Sequence, residues 1–184
     1  MRVYISSGLC MIKRILLITM FLLTHISMSA KIDYQTIIDT YHPKNSEGLI
    51  YIDKQELTLC LYDSLGILVK EYPIACGKNL GHKKKEGDCK TPEGSFIISQ
   101  IQNSKRWGHD FHDGKGFIKY AYGPWFIRLK TGFNGIGIHG THDPESIGTR
   151  ATEGCIRLNN EDLNELKSLV QLGMPVIIGK DSIQ

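Results

Sequence analysis

The sequence predicts a mainly β fold, a barrel or sandwich with one α-helix packed against it in the C-terminal third. Three observations carry this. Apolar residues recur at every second position in several short runs; Gly, Pro and Asp clusters separate those runs; and only one stretch has sustained helical spacing.

The elements follow in order. Residues 31–48, with Tyr34, Ile37 and then Tyr41-His-Pro43, allow a short helix or an extended lead-in. From Leu49 to Tyr62 the apolar residues Leu49, Tyr51, Leu57, Leu59 and Leu61 alternate with polar ones, predicting two strands broken near Lys54-Gln55. Asp63-Ser-Leu-Gly66 reads as a hairpin turn that sets Cys60 opposite about residue 69, and Ile67 to Ala75 as the returning strand. Gly77 to Lys90 has no apolar period and reads as a surface loop, its Lys83-Lys84-Lys85 run as a solvated face first and an anion contact second. Thr91-Pro-Glu-Gly94 turns the chain into a strand at Ser95–Ile98. Residues 102–123 mix Trp107, His109, Phe111, Tyr120 and Tyr122 with four glycines, a composition suited to a long excursion over a site. Trp125–Leu129 and Gly135–Ile138 are strand-like, the second ending on His139. Asn160 to Leu172 carries Leu163, Leu166, Leu169 and Val170 at helical spacing, with Asn159 or Asn160 as cap. Gly173 stops it, and Pro175–Ile178 is the last strand.

A length of 184 residues supports one domain. Removing Arg2, Lys13 and Arg14, the only charged residues of 1–30, leaves 19 basic against 19 acidic side chains, a balance that does not suggest a nucleic-acid partner. Lys13 and Arg14 precede an apolar stretch from Ile15 to Leu23, and Ser27, Ser29 and Ala30 offer small residues for cleavage. Residues 1–30 therefore read as a signal peptide, with an uncleaved anchor as the alternative, and the remainder as exported to the periplasm or cell envelope. Met11 stands directly before the basic pair, so residues 1–10 read as upstream of the natural start. Of the remaining cysteines, Cys60 and Cys76 look like small core residues, and Cys89 lies in a loop.

The sharpest chemistry lies in His139-Gly-Thr-His142 and Thr152-Glu-Gly-Cys-Ile-Arg157. A thiol attacks a carbonyl as thiolate, so a working Cys155 needs a base, which His139 can be, and a place to hold the oxyanion. Gly140 leaves room for a substrate. Gly154 permits a tight backbone whose amides could converge on one point. Arg157, two residues on along an extended segment, adds positive potential and a fork for a substrate carboxylate. Taken singly, Cys155 equally fits a buried apolar role, His139 a hydrogen-bonded structural one, and His142 a loop role. Zinc ligation by His139, His142, Asp143 and Cys155 matches no standard spacing, so no metal and no cofactor is expected.

His139-Gly-Thr, the step of sixteen residues to Cys155, and Gly154-Cys-Ile-Arg-Leu158 resemble the active-site signature of the YkuD-like L,D-transpeptidase catalytic domain. Ile52-Asp53, Tyr72 to Gly77 and Thr91-Pro-Glu-Gly-Ser-Phe96 resemble that family's opening strands and turn, and the catalytic domain is placed at 49–180. The resemblance implies a Cys–His acyl-transfer enzyme acting on peptidoglycan stem peptides. Cys155 would take the acyl group, D-alanine would leave, and an amine from a second stem or a wall-linked protein, or water, would receive it. Within the same chemistry an L,D-carboxypeptidase or amidase is the alternative; a wall-binding module without activity and a metal-dependent hydrolase are different classes. Gly140, Thr141, Gly154, Ile156 and Arg157 match positions that shape the pocket, and Trp107, Tyr120, Tyr122, Trp125 and His142 are candidates for a lid or groove. One departure stands out. Many members have Ser-His-Gly-Cys where this chain has Thr152-Glu153-Gly154-Cys155, and Glu153 is expected to face solvent or to pair with Arg150 or Arg157.

Overall fold

A computed structural model describes residues 32–44, 47–111, 114 and 116–181; the expected signal peptide at 1–30 lies outside them. No helix among the described residues is long and apolar enough to cross a membrane.

The lead-in is a helix, α1 (Tyr34–Tyr41), with Ile37 buried and the Tyr34 ring 5.3 Å from that of Tyr62. Gly66 is required beneath it, since a Cβ there would stand 2.4 Å from the Tyr34 ring. The strands β1 (Gly48–Asp53) and β2 (Thr58–Asp63) form the hairpin expected from the alternation, and β3 (Leu68–Pro73) returns beside them. Cys60 faces Glu71 rather than residue 69. Asp63 closes a longer loop, its backbone N–H and side chain both bonding Ile67, and a bulge between Leu61 and Tyr62 shifts the register.

After β4 (Cys76–Gly77) the chain makes the loop and enters β5 (Gly94–Asn103), which runs five residues past the expected Ile98. The excursion then folds into a small hairpin, β6 (His109–Asp110) with β7 (Phe117–Ile118). It returns through β8 (Trp125–Leu129), β9 (Gly137–His139), a short 3-10 turn at Pro144–Ser146, β10 (Arg150–Thr152) and β11 (Ile156–Arg157). Helix α2 (Asn160–Leu169) and β12 (Pro175–Ile178) complete the chain. Eight strands make one curled sheet in the order β11-β9-β8-β5-β12-β1-β2-β3, a half-barrel. β12 sits at its centre, parallel to β1 and antiparallel to β5. β10 pairs with β4 in a separate two-stranded ribbon.

Alternate residues of β1, β2, β8, β9 and β12 fill the core, and α2 covers it with Leu163 and Leu166. The helix ends at Leu169, three residues before the expected Leu172, because Val170 is already extended; Leu169 and Leu172 are exposed. Cys60 and Cys76 are buried and not in disulfides; Cys76 packs in the core as expected, whereas the Cys60 thiol reaches Glu71 Oε2 at 3.9 Å.

A turn read as polar punctuation hides a charge. Lys54 is 1% exposed, and its Nζ donates to Glu93 Oε1 at 2.7 Å and Asp181 Oδ2 at 2.8 Å. The other Asp181 oxygen accepts from Arg150 Nη2, and Arg150 also bonds the Lys54 carbonyl. Burial of the ammonium is tolerable because both carboxylates hold it.

Candidate active site

His139 and Arg157 face each other in the parallel register of β9 and β11, and Cys155 immediately precedes β11. All three line one cavity of about 370 Å³. The loop that carries Cys155 is anchored on both sides. Ala75 and Arg157 exchange two backbone bonds of 2.8 Å, and the Thr152 hydroxyl donates to the Cys155 carbonyl at 2.6 Å.

Gly154 is obligatory. Its φ is +135°, and a Cβ would lie 2.6 Å from the Lys90 carbonyl oxygen. Its amide, expected among the oxyanion donors, instead donates to Thr152 Oγ1 at 3.2 Å. Gly140 and Thr141 shape the pocket from behind without lining it. The Asn160 side chain accepts from the Thr141 N–H at 2.9 Å and donates to the Thr141 carbonyl at 3.0 Å, and a Cβ on Gly140 or Gly123 would stand 2.2 Å from the Asn160 oxygen. Sequence reading placed Asn160 only as a helix cap; its clamp depends on a contact nineteen residues away.

The imidazole of His139 is buried, stacked on Phe126 at 5.6 Å and edge-on to Tyr122 at 4.9 Å. Its Nδ1 lies 2.6 Å from the Gly140 carbonyl, which can only accept. The proton therefore resides on Nδ1, and Nε2 keeps a lone pair. Burial, assisted by the Arg157 charge, pushes the His139 pKa down to about 3. The Cys155 thiol donates to the Gly135 carbonyl at 3.0 Å, and burial pushes its pKa up to about 11 against the opposing pull of a Gly137 backbone bond, Arg157 and Lys83. The resting pair is thus neutral thiol and neutral imidazole. The cations that would ionise the sulfur are present, but desolvation outweighs them.

Arg157 is 4% exposed. Its Nη1 donates to Ser146 Oγ at 2.8 Å, Asp143 lies 4.0 Å away, and Nε is buried without a hydrogen-bond partner among the described residues. Lys83 corrects the reading of its run as a solvated face. It is 3% exposed, bonds Asp88 Oδ1 at 2.8 Å, and lines the cavity. Asp88 also accepts from the amides of Lys84, Lys85 and Lys90, which curls the loop and draws Lys83 inward. That carboxylate is held well below its usual range by these donors despite desolvation.

The remaining expectations divide. Ile156 is buried in the core and does not line the cavity, because the strand alternation that points Cys155 and Arg157 one way sends it the other. Trp107 packs on Tyr122 and Phe126, Tyr120 lies outside the cavity lining, and Trp125 donates its indole N–H to Asn164 of α2 under Lys167. Of the expected lid aromatics Tyr122 lines the wall, and the same excursion adds His109 and Phe111. His142 stacks on Phe111 and its Nδ1 bonds the Ala121 carbonyl, a structural role. Glu153 does face solvent, 47% exposed, but its partner is His109 Nε2 at 3.3 Å; Arg150 is committed to Asp181 and Arg157 to Ser146. Among the described residues no three His, Cys, Asp or Glu side chains gather as a metal centre requires.

Residues 47–178 match the family described as the L,D-transpeptidase catalytic domain, YkuD. A Bacillus licheniformis protein that carries the L,D-transpeptidase name YkuD is 39% identical over 121 residues, which cover 66% of this chain and 59% of that one. The chain thus spans about three fifths of that relative's length. Among solved structures, an L,D-transpeptidase from Mycobacterium smegmatis superposes with a TM-score of 0.54 at 23% identity, over 72% of this chain and 58% of the other. L,D-transpeptidase 3 from Mycobacterium tuberculosis, in complex with a faropenem-derived adduct, has a TM-score of 0.54 at 18% identity, over 73% and 60%. By its sequence and its half-barrel, the chain belongs to the YkuD family of L,D-transpeptidase catalytic domains.

Proposed function

We propose that this protein is a peptidoglycan L,D-transpeptidase in which Cys155 forms an acyl-enzyme with a tetrapeptide stem, releases D-alanine and passes the acyl group to an amine. The observation that carries this reading is one open cavity walled by Cys155, by His139 with its unprotonated Nε2, and by Arg157. When substrate displaces water, the thiol leaves the Gly135 carbonyl and gives its proton to Nε2. The thiolate attacks the carbonyl on the L side of the bond to D-alanine, and His139 returns the proton to the departing amine. Arg157 and Lys83 place two buried cations where they stabilise the thiolate and receive a donor carboxylate. Water in place of the amine makes the same acyl-enzyme an L,D-carboxypeptidase.

The protein is further proposed to work outside the cytoplasmic membrane, on the strength of the basic pair, apolar run and small residues of 13–30. Membrane contact would then be limited to the passage of that segment or to its retention as an anchor.

The test is intact-mass spectrometry with a carbapenem, whose strained carbonyl acylates a reactive thiol. The wild type gains one covalent adduct, Cys155→Ala gains none, and His139→Ala reacts about 10²-fold or more slowly, the scale of general-base assistance. An adduct that survives loss of Cys155 overturns the mechanism.

A further inference from the structure

The cavity sorts its charges by depth. Lys83 and Arg157 are buried in it, whereas Glu153 and Glu86 are exposed at its rim, and half-buried His109 holds the Glu153 carboxylate. Buried cations suit the carboxylates of a donor that must be desolvated. They do not suit the second substrate of an acyl transfer, an amine that arrives as an ammonium ion and must be both attracted and deprotonated. Glu153 stands two residues before the nucleophile, exposed to incoming solute, on a segment pinned by Thr152 and Gly154. His109 is fixed by an edge-on contact with Phe111 at 4.5 Å and by Tyr122 at 5.8 Å, so the pair bridges the β6–β7 excursion to the nucleophile loop.

We propose that the Glu153–His109 pair at the rim is the acceptor subsite, which captures a primary ammonium and readies it to attack the Cys155 acyl-enzyme. The inference rests on the acyl-transfer reading above. Glu153 holds the ammonium by a charge-assisted hydrogen bond. His109 steers that carboxylate through its Nε2–H, and one ammonium proton is lost by way of the exposed carboxylate to solvent. The free amine adds to the thioester carbonyl; the new C–N bond forms as the C–S bond breaks. The second amine proton passes through His139 to the Cys155 sulfur, so the thiol is regenerated with no change of oxidation state. Water needs none of this capture, so the pair sets the partition between cross-linking and hydrolysis.

The experiment incubates the full chain with a disaccharide-tetrapeptide that carries a free side-chain amine, as both donor and acceptor, and reads the ratio of cross-linked dimer to trimmed tripeptide by liquid chromatography and mass spectrometry. Both products branch from one acyl-enzyme, so any change in thiol ionisation or acylation rate cancels in the ratio. Glu153→Gln is expected to lower the dimer-to-tripeptide ratio about tenfold, the scale of one lost charge-assisted hydrogen bond, and His109→Gln to lower it likewise. Should either variant fail to fold, the other carries the same test. An unchanged ratio with an active wild type overturns the acceptor assignment alone, as does a wild type that yields only tripeptide. A wild type that yields neither product overturns the acyl-transfer reading itself.

Discussion

At the scale of single residues, burial opposes reactivity at the candidate site. Cys155 and His139 are each held in the uncharged form, with the thiol pKa raised to about 11 and the imidazole lowered to about 3. Since only the thiolate is alkylated, the labelling rate of Cys155 by iodoacetamide is expected to climb about tenfold per pH unit from 7 to 10, without the plateau that an ordinary thiol near 8.5 begins to show. Quantifying the tryptic peptide Ala151–Arg157 over that range checks this, and a rate already flat below pH 8 would reveal a resting ion pair instead. That Cys155, His139 and Arg157 belong to one site was legible because residue type and spacing encode it, and the three line one cavity. Lys83 was not, because the Asp88 knot that turns it inward is a three-dimensional arrangement of backbone amides, and a run of three lysines looks alike whether solvated or folded in. The partner of Glu153 was hidden for a related reason, since His109 lies 44 residues away on an excursion without apolar period.

At the scale of elements, strand alternation was readable wherever one face met the core, and β1, β2, β8 and β12 fall where the pattern puts them. It misled where local hydrogen bonding competes, as in the bulged β2–β3 hairpin, and where α2 ends early at Val170. The start of α2 has a second duty. Asn159 occupies the cap position without a side-chain cap bond, while Asn160 reaches back to clamp Thr141, so the helix positions the strand end that carries His139. Asn160→Ala removes both bonds and leaves a backbone N–H and C=O of a buried residue unmatched. It is expected to cost about 1–3 kcal/mol by thermal or urea unfolding, and to slow carbapenem acylation as the His139-Gly140 segment loosens. A variant with wild-type midpoint and wild-type acylation would remove Asn160 from this role.

At the scale of the whole molecule, the Lys54–Glu93–Asp181–Arg150 network ties together the β1–β2 turn, the approach to β5, the residue after the last strand and the β10 segment. Nothing in the polar turn around Lys54 announces this, because its partners lie 39 and 127 residues away. Lys54→Met leaves two carboxylates facing an apolar group, and a loss of about 3–5 kcal/mol is expected in equilibrium unfolding at neutral pH. The loss should shrink in acid, since Asp181, whose pKa is lowered by Lys54, Gly81 and Arg150 against its own desolvation, stabilises the native state above its unfolded pKa and ceases to do so once protonated. A variant as stable as the wild type at neutral pH would show that the cluster contributes no net stability.

The placement of β12 has a consequence for biosynthesis. The slot between β1 and β5 in the middle of the sheet is filled by a strand translated some seventy residues after β5 has emerged, so the two halves of the half-barrel stay unjoined throughout that interval. The cavity walls at His139 and Cys155 hang on the half that includes β5, β8, β9 and β11, and that half acquires its central neighbour only after all four of those strands have been made. Until β12 docks, a nascent chain therefore remains open and unlocked, its two sheet halves held together by no strand between them.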